Sequence, residues 1–194
     1  MSLGAHLWNL MTAPGVVVHE FAHKLACDLA GVPVTDVAYF RLGDPPGYVR
    51  HQEPSRYLTS FAISVAPFFV NTVIASALFA GCWLLLSTVT AGPLEPTLSL
   101  LEALLAAPRE VLGGTIVLAW LGFATGLHAF PSTGDANTLW SRTRSEWRTA
   151  PLVIAGIPFV ILIYLVNLLS WAYADVLYAL ALGIAAFALI GAVI

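Results

Sequence analysis

The stretch "VVHEFAHKLAC", Val17 to Cys27, places two histidines, a glutamate and a lysine inside an otherwise apolar run. Burying such groups in a low-dielectric interior is unfavourable unless each has a partner or a task. In a helix, residues four apart stand one turn apart on the same face, so His19 and His23 can direct both imidazoles at a single point. Glu20 lies beside that face rather than on it. The spacing is that of H-E-x-x-H, in which two neutral imidazoles bind zinc and the glutamate acts as general base towards a metal-activated water. The competing account is structural: the histidines hydrogen-bond to neighbouring helices, and Glu20 pairs with Lys24 at i,i+4.

The surroundings decide what kind of helix carries the motif. Of the 194 residues, 59% are hydrophobic and 10% charged, against roughly 45–50% apolar and about 25% charged in water-soluble domains. Apolar runs recur at Tyr57 to Val89, Val111 to Phe130, Pro151 to Trp171 and Ala172 to Ile194, each as long as the roughly 20 residues a helix needs to cross hydrocarbon. A fifth run, Leu3 to Val32, is interrupted by the quoted stretch; it has neither the basic flank nor the cleavage pattern of a secretory signal and is expected to be a retained helix. The expectation is an all-α polytopic membrane protein, one domain over residues 1–194, with about five transmembrane helices and a small β-hairpin after the first. No basic patch points to nucleic acid, and the lipid bilayer itself is the expected surrounding. Cys27 and Cys82 fall within apolar runs and read as buried thiols.

Orientation follows the excess of Lys and Arg in cytoplasmic loops. Arg41, Arg50 and Arg56 lie between the first two runs, and Arg142, Arg144 and Arg148 between the third and fourth. Thr90 to Glu110 holds Arg109 against three glutamates and is assigned to the opposite side. Five crossings with the N-terminus outside and the C-terminus inside satisfy this count. His19 then lies roughly 27 Å from an outer helix start, near the cytoplasmic side, although Pro14 could instead mark the first turn of a shorter helix. In "VTDVAYFRLGDPPGYVRH" β-branched and aromatic residues flank the turn signal "GDPPG", which predicts the hairpin. Its unpaired edge has to lie at the cytoplasmic interface or under protein.

Catalytic zinc takes three protein ligands and keeps a fourth position for water. Asp135 in "HAFPSTGDANTLW" follows the third run at the right depth, and His128 is its rival one turn deeper. Glu53 and His51 in the hairpin segment are more distant candidates. A plain N-cap or turn role is the alternative for Asp135.

Taken together, "HEFAHKLACDLAGVPV", "VAYFRLGDPPGYVRHQEPSRY", "FAISVAPFFVNTVIA" and "FPSTGDA" resemble the site-2 protease family of intramembrane zinc metalloproteases. The resemblance covers roughly the first 75 residues and a short piece around 130; the last two helices match only in hydrophobicity. The family sets its ligand aspartate two positions after a proline. Here Thr133 stands at that place and Asp135 follows two later. Thr125 and His128 stand where the family carries Asn-x-x-Pro. Asn71 is the candidate to replace that asparagine as a substrate or oxyanion donor, with an interhelical hydrogen bond as its alternative role.

The resemblance implies a zinc endopeptidase that hydrolyses peptide bonds in or near the transmembrane segments of membrane-protein substrates, with Zn2+ on His19, His23 and Asp135 and Glu20 as base. The expected location is a multi-pass position in a prokaryotic cell membrane, the active site near the cytoplasmic side. The rival is a non-proteolytic membrane scaffold with a closed zinc site, which needs four protein ligands and so both His128 and Asp135. A transporter would call for paired broken helices or an internal repeat, and neither is evident.

Overall fold

The computed structural model describes residues 3–90, 98–148 and 150–193. The helix α1 (Leu3–Leu29) carries the opening motif and continues unbroken through Pro14, so this proline does not start a shorter helix. It ends at Gly31, whose φ of +66° lets the chain turn. Val32 N–H then donates to the Cys27 carbonyl and Gly31 N–H to the Asp28 carbonyl, which satisfies two of the acceptors that a helix end leaves free. The strands β1 (Val34–Ala38) and β2 (Tyr48–His51) follow as an antiparallel pair. Val37 faces Val49 and Ala38 faces Tyr48, with a bulge between Val34 and Asp36.

Arg41 holds the connecting loop. Its Nε donates to the Pro45 carbonyl at 2.9 Å and its Nη2 to the Asp44 carbonyl at 3.1 Å. Arg50 stacks over the Tyr48 ring and lies 3.6 Å from Asp36. Both arginines, read from sequence as membrane-side charges, thus have hairpin partners.

Four further helical stretches are long and apolar enough to cross a membrane. They are α2 (Tyr57–Ser87), the helix Arg109–Leu127, the stretch Val153–Ala172 and the stretch Ala174–Ala192. They coincide with the four uninterrupted apolar runs, and with α1 they make an all-α polytopic membrane protein with a small hairpin.

Two connections have more structure than the sequence reading gave them. Within the linker after α2, of which residues 91–97 lie outside the described part, α3 (Leu98–Ala106) packs Ala103 and Leu104 against Trp83, Leu86 and Phe187. After α4 (Arg109–Leu127), the segment expected as a loop forms α5 (Thr133–Glu146). A 3₁₀ turn (Pro151–Gly156) leads into α6 (Ile157–Leu169), and a second one (Ser170–Ala172) into α7 (Ala174–Val193). Leu139 and Ala136 of α5 form a core with Tyr57, Val160 and Ile163. Arg142 is buried there, donating from Nη1 to the Pro54 carbonyl and to Ser60 Oγ and pairing with Glu146 at 2.7 Å. Its role is to clamp α5 to the start of α2.

The bundle centre is the contact of α1, α2 and α4. Asn71 of α2 is fully buried, and its Nδ2 reaches the carbonyls of Thr125 (3.2 Å), His128 (3.0 Å) and, at 3.4 Å, Gly15. The His128 carbonyl lies just past the end of α4, and inside a bilayer water does not supply a donor; the Asn71 amide does. Gly15 allows this crossing, since a β-carbon there would fall 1.9 Å from the Ala124 carbonyl oxygen. Gly15→Val should therefore separate α1 from α4. The expected outcome is a lower melting temperature in detergent, corresponding to about 1–3 kcal/mol for overpacking, together with loss of metal binding at His19.

Candidate metal centre

His19, Glu20 and His23 are all buried on α1. The Nδ1 of His19 lies 2.8 Å from the His128 carbonyl oxygen, and that of His23 lies 2.9 Å from the Ile63 carbonyl oxygen. A carbonyl oxygen only accepts, so each ring donates from Nδ1 and, in its neutral form, has a bare Nε2. The Ile63 carbonyl is available for a local reason. Its helical donor would be residue 67, which is a proline inside α2 without an N–H.

The two bare nitrogens face each other at 3.2 Å. Lone pairs at that separation repel unless a proton or a cation lies between them. Asp135 Oδ1 is 3.4 Å from His23 Nε2, and ligand atoms of His19, His23 and Asp135 all lie within 4.8 Å of one another. Two atoms bonded at about 2.0–2.1 Å to a tetrahedral ion stand roughly 3.3–3.4 Å apart. The donor set, two neutral imidazoles and a carboxylate with Nδ1 partners that orient the rings, fits zinc.

Asp135 supports the cap of α5 without being its N-cap residue, and it also faces the histidines. It is the third residue of α5, whose N-cap is Ser132. Its Oδ2 accepts from Ser132 N–H at 2.8 Å and from Ser132 Oγ at 2.6 Å, while its own N–H donates to Ser132 Oγ at 3.2 Å. One oxygen closes a capping box and the other is turned towards the histidines. Burial pushes this carboxyl up, but the neighbouring His23 and His19 and the Ser132 hydrogen bond hold it well below the usual carboxylate range.

Among the remaining candidates, His128 and His51 line the same cavity without joining the group, while Asn71 and Glu53 do not line it. His128 Nδ1 is 3.1 Å from the Ala124 carbonyl, and His128 is not part of the three-residue group; it meets the site through its backbone oxygen. Asn71 spends its amide donors on the crossing of α1, α2 and α4, and it does not line the cavity. Glu53 is exposed beside Arg142, and His51 Nδ1 lies 2.7 Å from the Gln52 carbonyl. Lys24 pairs with Asp28 at 2.6 Å rather than with Glu20. Cys27 and Cys82 are buried free thiols.

The group sits in the wall of a cavity of about 650 Å3, within the roughly 300–1,000 Å3 of small-molecule sites. Glu20, Tyr48, Asn167 and Asp175 also line it. The hairpin loop closes on Glu20 so tightly that a β-carbon on Gly47 would lie 2.7 Å from Glu20 Cγ. Ser132, Pro67 and Gly47 are the contributors that the sequence reading missed. Two of them had a readable signal: an S-x-x-D capping pattern, and a proline four residues after the carbonyl it releases.

Comparison of the chain with protein-family models, with curated proteins and with solved structures found no match.

Ser132→Ala removes the cap and frees the Asp135 carboxylate to rotate. Loss of such a cap costs about 0.5–2 kcal/mol, and loss of a ligand-orienting partner weakens metal binding roughly 10–100-fold. Competition with a chromophoric chelator should record that drop with His19 and His23 intact.

Proposed function

We propose that this chain is an intramembrane zinc metalloendopeptidase of the kind the sequence resembles, acting on peptide bonds in or near the transmembrane segments of membrane-protein substrates. One observation carries the reading: two bare imidazole nitrogens and a carboxylate oxygen converge beside Glu20, in a cavity among helices long and apolar enough to cross a membrane.

His19, His23 and Asp135 would hold the ion. Bound there, zinc would supply a Lewis acid that polarises the scissile carbonyl and acidifies a water molecule. Glu20 lines the same cavity and is off the ligand face. It takes the proton of the attacking water, whose oxygen bonds to the carbonyl carbon. As the C–N bond breaks, Glu20 returns that proton to the departing nitrogen. A helical substrate has its carbonyls engaged and must unwind before it can react. Residues 45–49 of the hairpin line the cavity, and the β2 backbone offers the unwound segment a strand to pair with. The arginines before α2 (Arg41, Arg50 and Arg56) and those in and after α5 (Arg142, Arg144 and Arg148) support a site on the cytoplasmic side.

The closed structural zinc site is the second reading. It requires four protein ligands, and the described residues bring three together. A facial pair of histidines with one carboxylate also suits Fe(II).

Elemental analysis of the purified protein should give one zinc per chain. Glu20→Gln should keep that zinc and abolish cleavage of single-span substrates; loss of zinc from this variant would make Glu20 a ligand and remove the base assignment. In the same assay Asp135→Ala should lower zinc content more than His128→Ala, and the opposite order would transfer the third ligand to His128.

A further inference from the structure

A second, apolar cleft of about 230 Å3 lies against the first cavity. Its ten lining residues are all apolar, and the main contributors are Phe61 and Phe68 of α2, Phe130 and Pro131 of the α4–α5 connection, and Phe159 and Ile163 of α6. Phe130 lines both spaces, and Pro131 of the cleft is followed in the chain by Ser132 of the cavity, so the cleft lies beside the metal-ligand group and not at a remote place. The rings support one another: Phe61 meets Phe159 edge-on at 5.1 Å, and Phe68 stacks with Phe130 at 6.1 Å.

The dividing wall is held in place. Asn167 of α6 donates from Nδ2 to the Pro131 carbonyl at 2.9 Å and to the Ile163 carbonyl at 2.8 Å. The same connection runs on to Ser132 and so to the capping box of Asp135. On the outer side, Phe69 and Leu162 are more than half exposed among residues that the apolar helices α2 and α6 turn towards lipid. The cleft therefore lies between the lipid-facing surface and the polar cavity, with Phe130 as the shared wall.

We infer that this cleft is the specificity subsite: it receives one large apolar side chain, Leu or Phe in class, from the residue flanking the scissile bond of a membrane-embedded substrate. This rests on the proteolytic reading above and adds the substrate preference. The volume is below the roughly 300–1,000 Å3 of sites for whole small molecules, and it suits a single side chain still attached to its backbone. With no polar side chain in the lining, a charged or amide side chain would lose its hydration without a partner. The shared Phe130 sets the cleft against the cavity that holds Glu20 and the ligand group, so a side chain seated in the cleft keeps its backbone on that side. A lipid acyl chain would fill the same apolar space but has no backbone to present there.

The test uses the full chain in proteoliposomes with single-span substrates that differ only at the residue flanking the cleaved bond: Ala, Leu, Phe, Trp or Gln. The readout is the ratio of kcat/KM values between substrates within each variant, so differences in the amount of folded enzyme cancel. The wild-type chain should prefer Leu or Phe over Ala by roughly 10-fold or more, as expected for methylenes seated in an apolar pocket, and should reject Gln. Val166→Phe narrows the cleft and should shift the preference to Ala. Phe159→Ala, at a half-exposed position, widens it and should admit Trp. Cleavage with ratios unmoved by both substitutions would overturn the subsite while leaving the protease reading intact. Ratios moved only by changing lipid chain length would assign the cleft to lipid and also overturn it. If the wild-type chain cleaves nothing that Glu20→Gln spares, the protease reading fails and the subsite fails with it.

Discussion

A carbonyl group released from its helix inside an apolar bundle has to find a donor, and the arrangement of this protein turns on two such carbonyls. One belongs to Ile63, freed because Pro67 has no N–H to give it. The other belongs to His128, at the end of α4. The Nδ1 atoms of His23 and His19 serve them. Satisfying these acceptors sets the tautomer of both rings, and the tautomer leaves the two Nε2 lone pairs aimed at each other across 3.2 Å. Backbone satisfaction and metal readiness are thus the same pair of hydrogen bonds seen from opposite sides of each imidazole.

The carboxylate of Asp135 depends on a comparable economy of groups. Asp135 caps α5 with one carboxylate oxygen and turns the other to His23. Because α5 is clamped to the chain before α2 by Arg142 and packed on α6 through Leu139, the position of that oxygen is set by contacts far from it. Asn167 adds a further tie by holding the Pro131 carbonyl just before the cap. The ligand is consequently presented by a short polar helix whose ends are both anchored, as an oriented carboxylate needs to be.

Much of this was readable from residue order. The four uninterrupted apolar runs became spanning-length helices, "GDPPG" became the hairpin loop, and the i,i+4 spacing put His19 and His23 on one face. The segment after Phe130 was less legible. Its Ser, Thr, Gly and Asp residues read as a loop, yet Ser132 and Asp135 stand at capping-box spacing and start α5. Likewise α3 was lost in a linker, since nine residues are too few for periodicity to stand out. The departure from the family's aspartate position was visible in sequence, but where the carboxylate would come to rest was not.

Periodicity and composition are properties of neighbouring residues, so the sequence by itself determined the membrane class, the helical face that carries the two imidazoles and the position of Glu20 off that face. Those facts follow from the 3.6-residue turn and the length of apolar runs. Only the tertiary structure brought Asp135, and not His128, into the three-residue group, engaged Asn71 at the helix crossing and put Gly47 over Glu20. Each of these depends on which groups more than 20 residues apart meet, and such meetings are settled by the packing of α1, α2, α4 and α5 and by the demand that every buried carbonyl find its donor.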